Sequence, residues 1–167
     1  AMNNALRDAE LPSKEFLNIV LQGLAGEDDD SAIRNELAQL SVAASSYSHP
    51  DNRANRKATL VAGLTEHLMH AQPGSDSQLA FADALVNAIG SPAGADLLQG
   101  WLKGEDVPEG LPIDSDRRWL IIKSLARIGV ADETLIAKEL EADNTISGAQ
   151  SAAGARACLK DAAAKAD

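Results

Sequence analysis

The sequence predicts an all-α protein, and three observations carry that prediction. Aromatic residues make up only 3% of the 167 residues, hydrophobic residues make up 45%, and alanine is the commonest residue. Strands favour aromatic and β-branched residues, whereas alanine favours helices. Apolar residues recur at spacings of three and four, and glycine, proline and capping residues divide the chain into about eight segments. We expect antiparallel helix pairs, stacked in a superhelical layer of the HEAT or armadillo type, although no repeat of fixed period is present.

The first half of the chain contains three of these segments. Ser13 is a candidate N-cap for the first helix, and an acidic run over residues 27–30 suits the start of the second. Prolines at 50 and 73 mark the ends of the second and the third segments. The apolar positions that we expect to face the core are Phe16, Val20, Leu24, Ile33, Leu37, Leu40, Ala44, Tyr47, Leu60, Val61, Leu64 and Leu68.

The second half begins with a capping-box pattern at Ser75 and Gln78. Residues 103–113 form its longest irregular stretch and are a candidate hinge within an otherwise single helical domain over residues 1–167. Asp114 or Ser115 is expected to cap the helix that follows. Expected core positions are Leu79, Ala82, Leu85, Val86, Ile89, Leu97, Leu98, Trp101, Leu102, Trp119, Leu120, Ile121, Ile122, Leu125, Leu135, Ile136 and Leu140. The small residues Ser147, Ser151 and Ala155 would let the last helix approach a neighbour closely.

The charge and the cysteine content exclude several classes of protein. The net charge of −10 and the pI of about 4.7 argue against general binding to nucleic acid or to anionic membranes. The single cysteine, Cys158, allows neither an intrachain disulfide nor a cysteine-based zinc site, and we expect it to pack rather than to react. No apolar run approaches the length of a membrane span. These features predict a soluble, cytoplasmic protein.

No complete catalytic constellation is present in the sequence. His67 and His70 are three residues apart and follow Glu66, whereas the zinc motif H-E-x-x-H needs histidines four residues apart with the glutamate between them. We therefore predict no catalytic residue, no metal site and no cofactor in this chain. Arg117 and Arg118, next to Trp119, form the one candidate binding cluster: they could receive a carboxylate such as a peptide C-terminus, or they could be structural.

Four stretches, in order along nearly the whole chain, resemble one family. Residues 6–12 resemble R-D-G-E-L-P, residues 71–80 resemble A-x-P-G-S-D-x-Q-L-A, residues 110–119 resemble G-L-x-x-D-x-x-L-R-W, and residues 141–148 contain D-x-T-x-x-G. These are motifs of the C-terminal helical domain of zinc-dependent aminopeptidases N, particularly the actinobacterial branch, and the domain is similar to that of the endoplasmic-reticulum aminopeptidases. Ala9 stands where the family has glycine, and Arg117 where it has leucine.

The resemblance implies a parent enzyme that removes N-terminal residues from peptides. It implies a zinc ion in a catalytic domain of the same polypeptide, and a C-terminal domain that encloses the substrate chamber and touches the distal part of longer peptides. The zinc motif and the G-A-M-E-N segment of that family are absent from this sequence, so no catalytic or metal-binding residue carries over. The alternative is a stand-alone helical-repeat module that binds another protein, and a small enzyme that uses His67 and His70 is a third possibility.

Overall fold

The computed structural model describes residues 12–27, 29–46 and 48–159. These residues form eight α-helices, and no strand occurs among them. The prediction of an all-α fold is confirmed. The helices are α1 (Ser13–Leu24), α2 (Asp30–Ser45), α3 (Arg53–His70), α4 (Asp76–Ala88), α5 (Ala95–Lys103), α6 (Ser115–Arg127), α7 (Glu133–Ala142) and α8 (Ile146–Cys158).

The chain divides into two compact units. The first comprises Ala1–Ala88 together with Pro108–Leu111, and the second comprises Ile89–Val107 and Pro112–Asp167. The irregular segment that the sequence singles out as a hinge is thus shared between the two units. The single domain, the hinge near residues 103–113 and the superhelical layering stay predictions.

The first unit is built from α1 to α4. Helix α3 packs against α1, α2 and α4, and α2 also contacts α1 and α4. Each helix buries one apolar stripe, as its periodicity predicts. The largest fully buried side chains of this unit are Phe16, Leu17, Leu40, Leu64, Leu85 and Gln78. Phe81 is also buried, whereas the predicted core residues Leu79 and Val61 are only half-buried. Tyr47 and the motif at residues 6–11 lie outside the described residues.

The starts of these helices follow the capping predictions with one exception. Asp29 caps α2 by accepting hydrogen bonds from the amides of Ser31 and Ala32 at 2.8 and 2.9 Å. The prediction that Ser13 caps α1 is wrong, because the N-cap position is Pro12 and makes no side-chain cap bond. The Ser13 hydroxyl instead accepts a hydrogen bond from Ser48 at 3.1 Å.

The second unit contains α5 to α8. Helix α8 packs against both α6 and α7, and α5 packs against α6. Trp119, Ile122, Ile136, Ala152 and Ala155 form a buried cluster at the α6–α7–α8 junction. Of the predicted small-residue line, Ala155 is buried and Ser147 is exposed, and the small residues predicted beside it, Gly148 and Ala152, are buried. Close approach of α8 to its neighbours thus depends on one glycine and two alanines.

Candidate functional site

Arg117, the first member of the predicted binding cluster, is buried at the start of α6. Only 7% of its surface is exposed, and its Nη1 donates to the carbonyl of Pro112 at 2.6 Å. Its amide donates to Asp114 Oδ1 at 2.9 Å, which identifies Asp114 rather than Ser115 as the cap of α6. The guanidinium group that stands in place of the family's leucine therefore contacts the chain's own backbone.

Arg118 forms a two-pronged ion pair with Glu139 of α7. Its Nε and Nη2 atoms donate to the two carboxylate oxygens at 2.6 and 2.7 Å, and its Nη1 donates to the carbonyl of Leu102 at 3.0 Å. The hydrogen bond to Glu139 raises the pKa of Arg118 above its ordinary value. Glu139 is buried and Arg118 is about one-third exposed. The ion pair connects α6 to α7, and the hydrogen bond to the carbonyl of Leu102 connects α6 to the end of α5.

The indole of Trp119 belongs to a second polar cluster centred on Asp143. Trp119 Nε1 and the Ser115 hydroxyl both donate to Asp143 Oδ2, at 2.8 and 2.7 Å, and the Thr145 hydroxyl donates to Oδ1 at 2.8 Å. These three bonds, Ser115 first, lower the pKa of Asp143. The three members of the predicted cluster thus all contact groups of the same chain. These contacts weigh towards the structural alternative, and the peptide-binding interpretation stays a prediction.

The two histidines on α3 do not converge on a metal site. His67 Nε2 donates to the carbonyl of Leu21 at 2.7 Å, and its ring stacks on Phe81 with 5.2 Å between the centroids. His70 Nδ1 hydrogen-bonds to the carbonyl of Glu66 at 2.8 Å. Across residues 12–27, 29–46 and 48–159, no group of three or more histidine, cysteine, aspartate or glutamate side chains could hold a metal ion. Cys158 is half-buried at the end of α8.

A cleft in the first unit is the candidate binding site that the sequence did not reveal. It has a volume of about 900 Å³ and is lined by the end of α1, the start of α2, the last turns of α3, the α3–α4 turn and Phe81. Its apolar surface comes from Leu21, Leu24, Ile33 and Phe81. Since these four residues come from three different helices, no local sequence pattern could have grouped them.

The charges around this cleft are negative. Glu27 and Glu66 line it, and none of the described residues that line it is lysine or arginine. Glu36, on α2, lies close enough to Glu27 for the two carboxylates to repel. Burial, and secondly the charge of Glu27, raise the pKa of Glu36. The Oε2 atom of Glu36 is buried and has no hydrogen-bond partner among the described residues.

Comparison with known proteins identifies the family. The family model of the ERAP1-like C-terminal domain matches residues 1–167. The chain belongs to the ERAP1-like C-terminal domain family. It is also 36% identical over 161 residues to a protein named Aminopeptidase N from Streptomyces lividans, a match that covers 96% of this chain. The prediction from the four sequence motifs is confirmed.

The comparison also shows how small a part of the relative this chain matches. The chain spans 19% of the length of the Streptomyces protein. It is therefore a C-terminal domain of an aminopeptidase N-like protein. Among the described helices, none has the length and hydropathy that a membrane span requires.

Proposed function

We propose that this chain is the non-catalytic C-terminal domain of a zinc-dependent aminopeptidase that removes N-terminal residues from peptides. The observation that carries the proposal is the match along 96% of this chain to 19% of an aminopeptidase N. The actinobacterial origin and the cytoplasmic location that the sequence predicts belong to this proposal as well. The catalytic domain of the same polypeptide is then the first partner of the chain.

The role of the domain is steric. It encloses the substrate chamber, limits access to the active site and contacts the distal part of longer peptides. The ion pair and the hydrogen bonds inside the second unit support this role, since a domain that encloses a chamber must be rigid. Arg118 is fixed by Glu139 and by the Leu102 carbonyl, and Asp143 gathers three donors.

Zinc belongs to the catalytic domain in this proposal. Among the described residues, no histidine, cysteine, aspartate or glutamate side chain is placed to complete a zinc site with His67 and His70. The order Glu66, His67, His70 also differs from H-E-x-x-H, in which the glutamate lies between the two ligands. No step of peptide hydrolysis is assigned to this chain.

The first experiment measures the native polypeptide that carries these residues, by immunoprecipitation from the source and mass spectrometry. A product several times larger than 17.5 kDa, with upstream peptides that contain H-E-x-x-H, is expected. A native product of about 17.5 kDa would refute the proposal and favour the stand-alone interaction module.

A second experiment tests the steric role in the parent enzyme. We expect the 167-residue chain alone to leave amino-acid anilides intact. We expect deletion of this domain from the parent to change the rate ratio between long and short peptides more than the rate on an anilide. Stoichiometric zinc in this chain, with an activity abolished by His67→Ala, would contradict the assignment.

A further inference from the structure

We propose that the cleft between α1, α3 and α4 binds a cationic side chain, lysine or arginine, carried by a peptide. The cleft has a volume of about 900 Å³, within the range of ligand-binding cavities. A single lysine or arginine side chain fills a small part of that volume, so neighbouring peptide residues have room beside it. The choice of a peptide as the carrier rests on the proposed function; the choice of a cation rests on the cleft.

The lining of the cleft selects for positive charge. Apart from the two histidines, the ionisable side chains among the described residues that line it are Glu27 and Glu66. The ends of α1 and α3 and the starts of α2 and α4 all border the cleft, so the partial charges of these helix termini are of both signs. The selection therefore rests on the two glutamates, which would repel an anionic ligand.

The wall of the cleft suits the long stem of such a side chain. Leu21, Leu24 and Ile33 line it together with Phe81, whose ring His67 holds by stacking. Lysine and arginine pack their methylene groups on apolar surface while the charged end stays in contact with polar groups or water. The cleft therefore offers both an apolar surface for the stem and carboxylates for the charged end.

A half-buried acidic residue near Glu27 strengthens the preference. One carboxylate oxygen of Glu36 is buried with no hydrogen-bond partner among the described residues, and the charge of Glu27 acts on this carboxyl group. A cation bound near Glu27 offsets the repulsion between these two groups. The net charge of −10 also attracts cationic ligands from a distance at low ionic strength.

The test titrates the full 167-residue chain with short peptides blocked at both ends, so that terminal charges do not contribute. Three alanine-based peptides carry lysine, norleucine or glutamate at the centre, and norleucine keeps the stem of lysine without its charge. Binding is followed by NMR amide shifts. We expect the lysine peptide to shift the amide signals of Glu66, Ala71 and Phe81, and to bind about tenfold more tightly than the norleucine peptide. Raising the salt to about 0.5 M should weaken that binding.

Charge-neutral variants locate the site. Glu66→Gln and Glu27→Gln keep the shape of the side chain, and each should weaken lysine-peptide binding about threefold. Glu141→Gln, at an exposed position of α7 in the other unit, is the matched control and should leave binding unchanged. Circular dichroism checks that each variant keeps its helices.

Three results would overturn the proposal. They are equal binding of the lysine and norleucine peptides, which would make the cleft a purely apolar site; no binding of the lysine peptide up to about 10 mM; and equal loss of binding in Glu66→Gln and Glu141→Gln. None of these results bears on the parent polypeptide, whose mass and activity test the proposed function separately.

Discussion

Replacement of Gly110 by alanine should destabilise the protein far more than the same replacement at Gly104, which lies in the second unit. Both glycines have a φ of +78°, in the left-handed region that alanine adopts only with strain. They differ in their surroundings. A Cβ atom at Gly104 would meet no atom within 4 Å, whereas one at Gly110 would lie 2.6 Å from the amide nitrogen of Gly74 and 2.8 Å from the carbonyl carbon of Pro73. Gly104→Ala is therefore a matched control for the backbone strain alone.

The expected magnitudes follow from these distances. Alanine in the left-handed region costs about 1 kcal/mol relative to glycine, and this is the whole effect expected at Gly104. At Gly110 the new methyl group must gain roughly 1 Å of separation, because carbon contacts lie near 3.5 Å. Two of the obstructing atoms belong to the backbone of Pro73 and Gly74 and the third is the ring Cβ of Pro73, so no side-chain rotation relieves the contact.

The displacement also breaks the hydrogen bonds of Gln78, which is only 2% exposed. Its side chain donates to the carbonyl of Glu109 at 2.8 Å and accepts from the amide of Gly74 at 2.8 Å. A buried amide that loses its partners costs about 1–3 kcal/mol. Adding a middle value of about 2 kcal/mol to the backbone strain gives a loss of about 3 kcal/mol for Gly110→Ala.

Urea unfolding followed by far-UV circular dichroism measures this difference. Both tryptophans, Trp101 and Trp119, lie in the second unit, so fluorescence follows that unit while circular dichroism follows the helices of both. Amide exchange of Gly74 adds a local measurement, since its hydrogen bond to Gln78 should open in Gly110→Ala and persist in Gly104→Ala. Equal destabilisation of the two variants, or unchanged protection of Gly74, would refute the close-approach argument.

Two further predictions concern the polar contacts of the second unit. Glu139→Gln should lower the free energy of unfolding by about 2 kcal/mol, because it leaves Arg118 without its charged partner in a largely buried pair. Urea unfolding measures this loss, and the exposed pair formed by Glu133 supplies the control, Glu133→Gln, whose effect should be much smaller. Asp143 has a lowered pKa in the folded state, so its contribution to stability is present above the ordinary aspartate value of about 3.9 and is lost as the pH falls below it. Fluorescence of Trp119 during unfolding between about pH 5 and pH 2 should show this loss in the natural chain and not in Asp143→Asn, and a parallel decline in both would contradict it.

The spacing of apolar residues, together with the glycine, proline and capping residues between segments, was sufficient to predict the helices. The stripe Ile33, Leu37, Leu40 and Ala44 is buried along α2, as its spacing of four and three requires. The capping box before α4 also forms in part, since the Ser75 hydroxyl accepts from the amide of Gln78 at 3.1 Å. Such features depend on residues within one or two turns of each other, which a single sequence displays directly.

Features that depend on tertiary contacts were harder to predict. The side chain of Gln78 does not return to the N-cap amide, as a capping box implies, but bonds to the amide of Gly74 and to Glu109, a residue 31 positions later. No pattern in the sequence indicated that Phe81 would stack on His67. The acidic cleft brings Glu27 and Glu66 into one lining, and no local sequence pattern indicates that they share it.

The motifs that reveal the family are, in this structure, motifs that hold helix ends together. The turn at Gly74 lies against Gly110. The side chain of Gln78 hydrogen-bonds to the amide of Gly74 and to the carbonyl of Glu109, the residue before Gly110. The stretches 71–80 and 110–119, which resemble the family, therefore meet at this turn. The stretches 110–119 and 141–148 meet at Asp143, which accepts hydrogen bonds from Trp119 and from the start of α6. Close approach at Gly74 and Gly110 and the hydrogen bonds between Trp119 and Asp143 give these residues a structural role at these positions. The cleft lies mostly outside these stretches, since of its described lining only Ala71, Gln72, Ser75 and Ser77 belong to one of them.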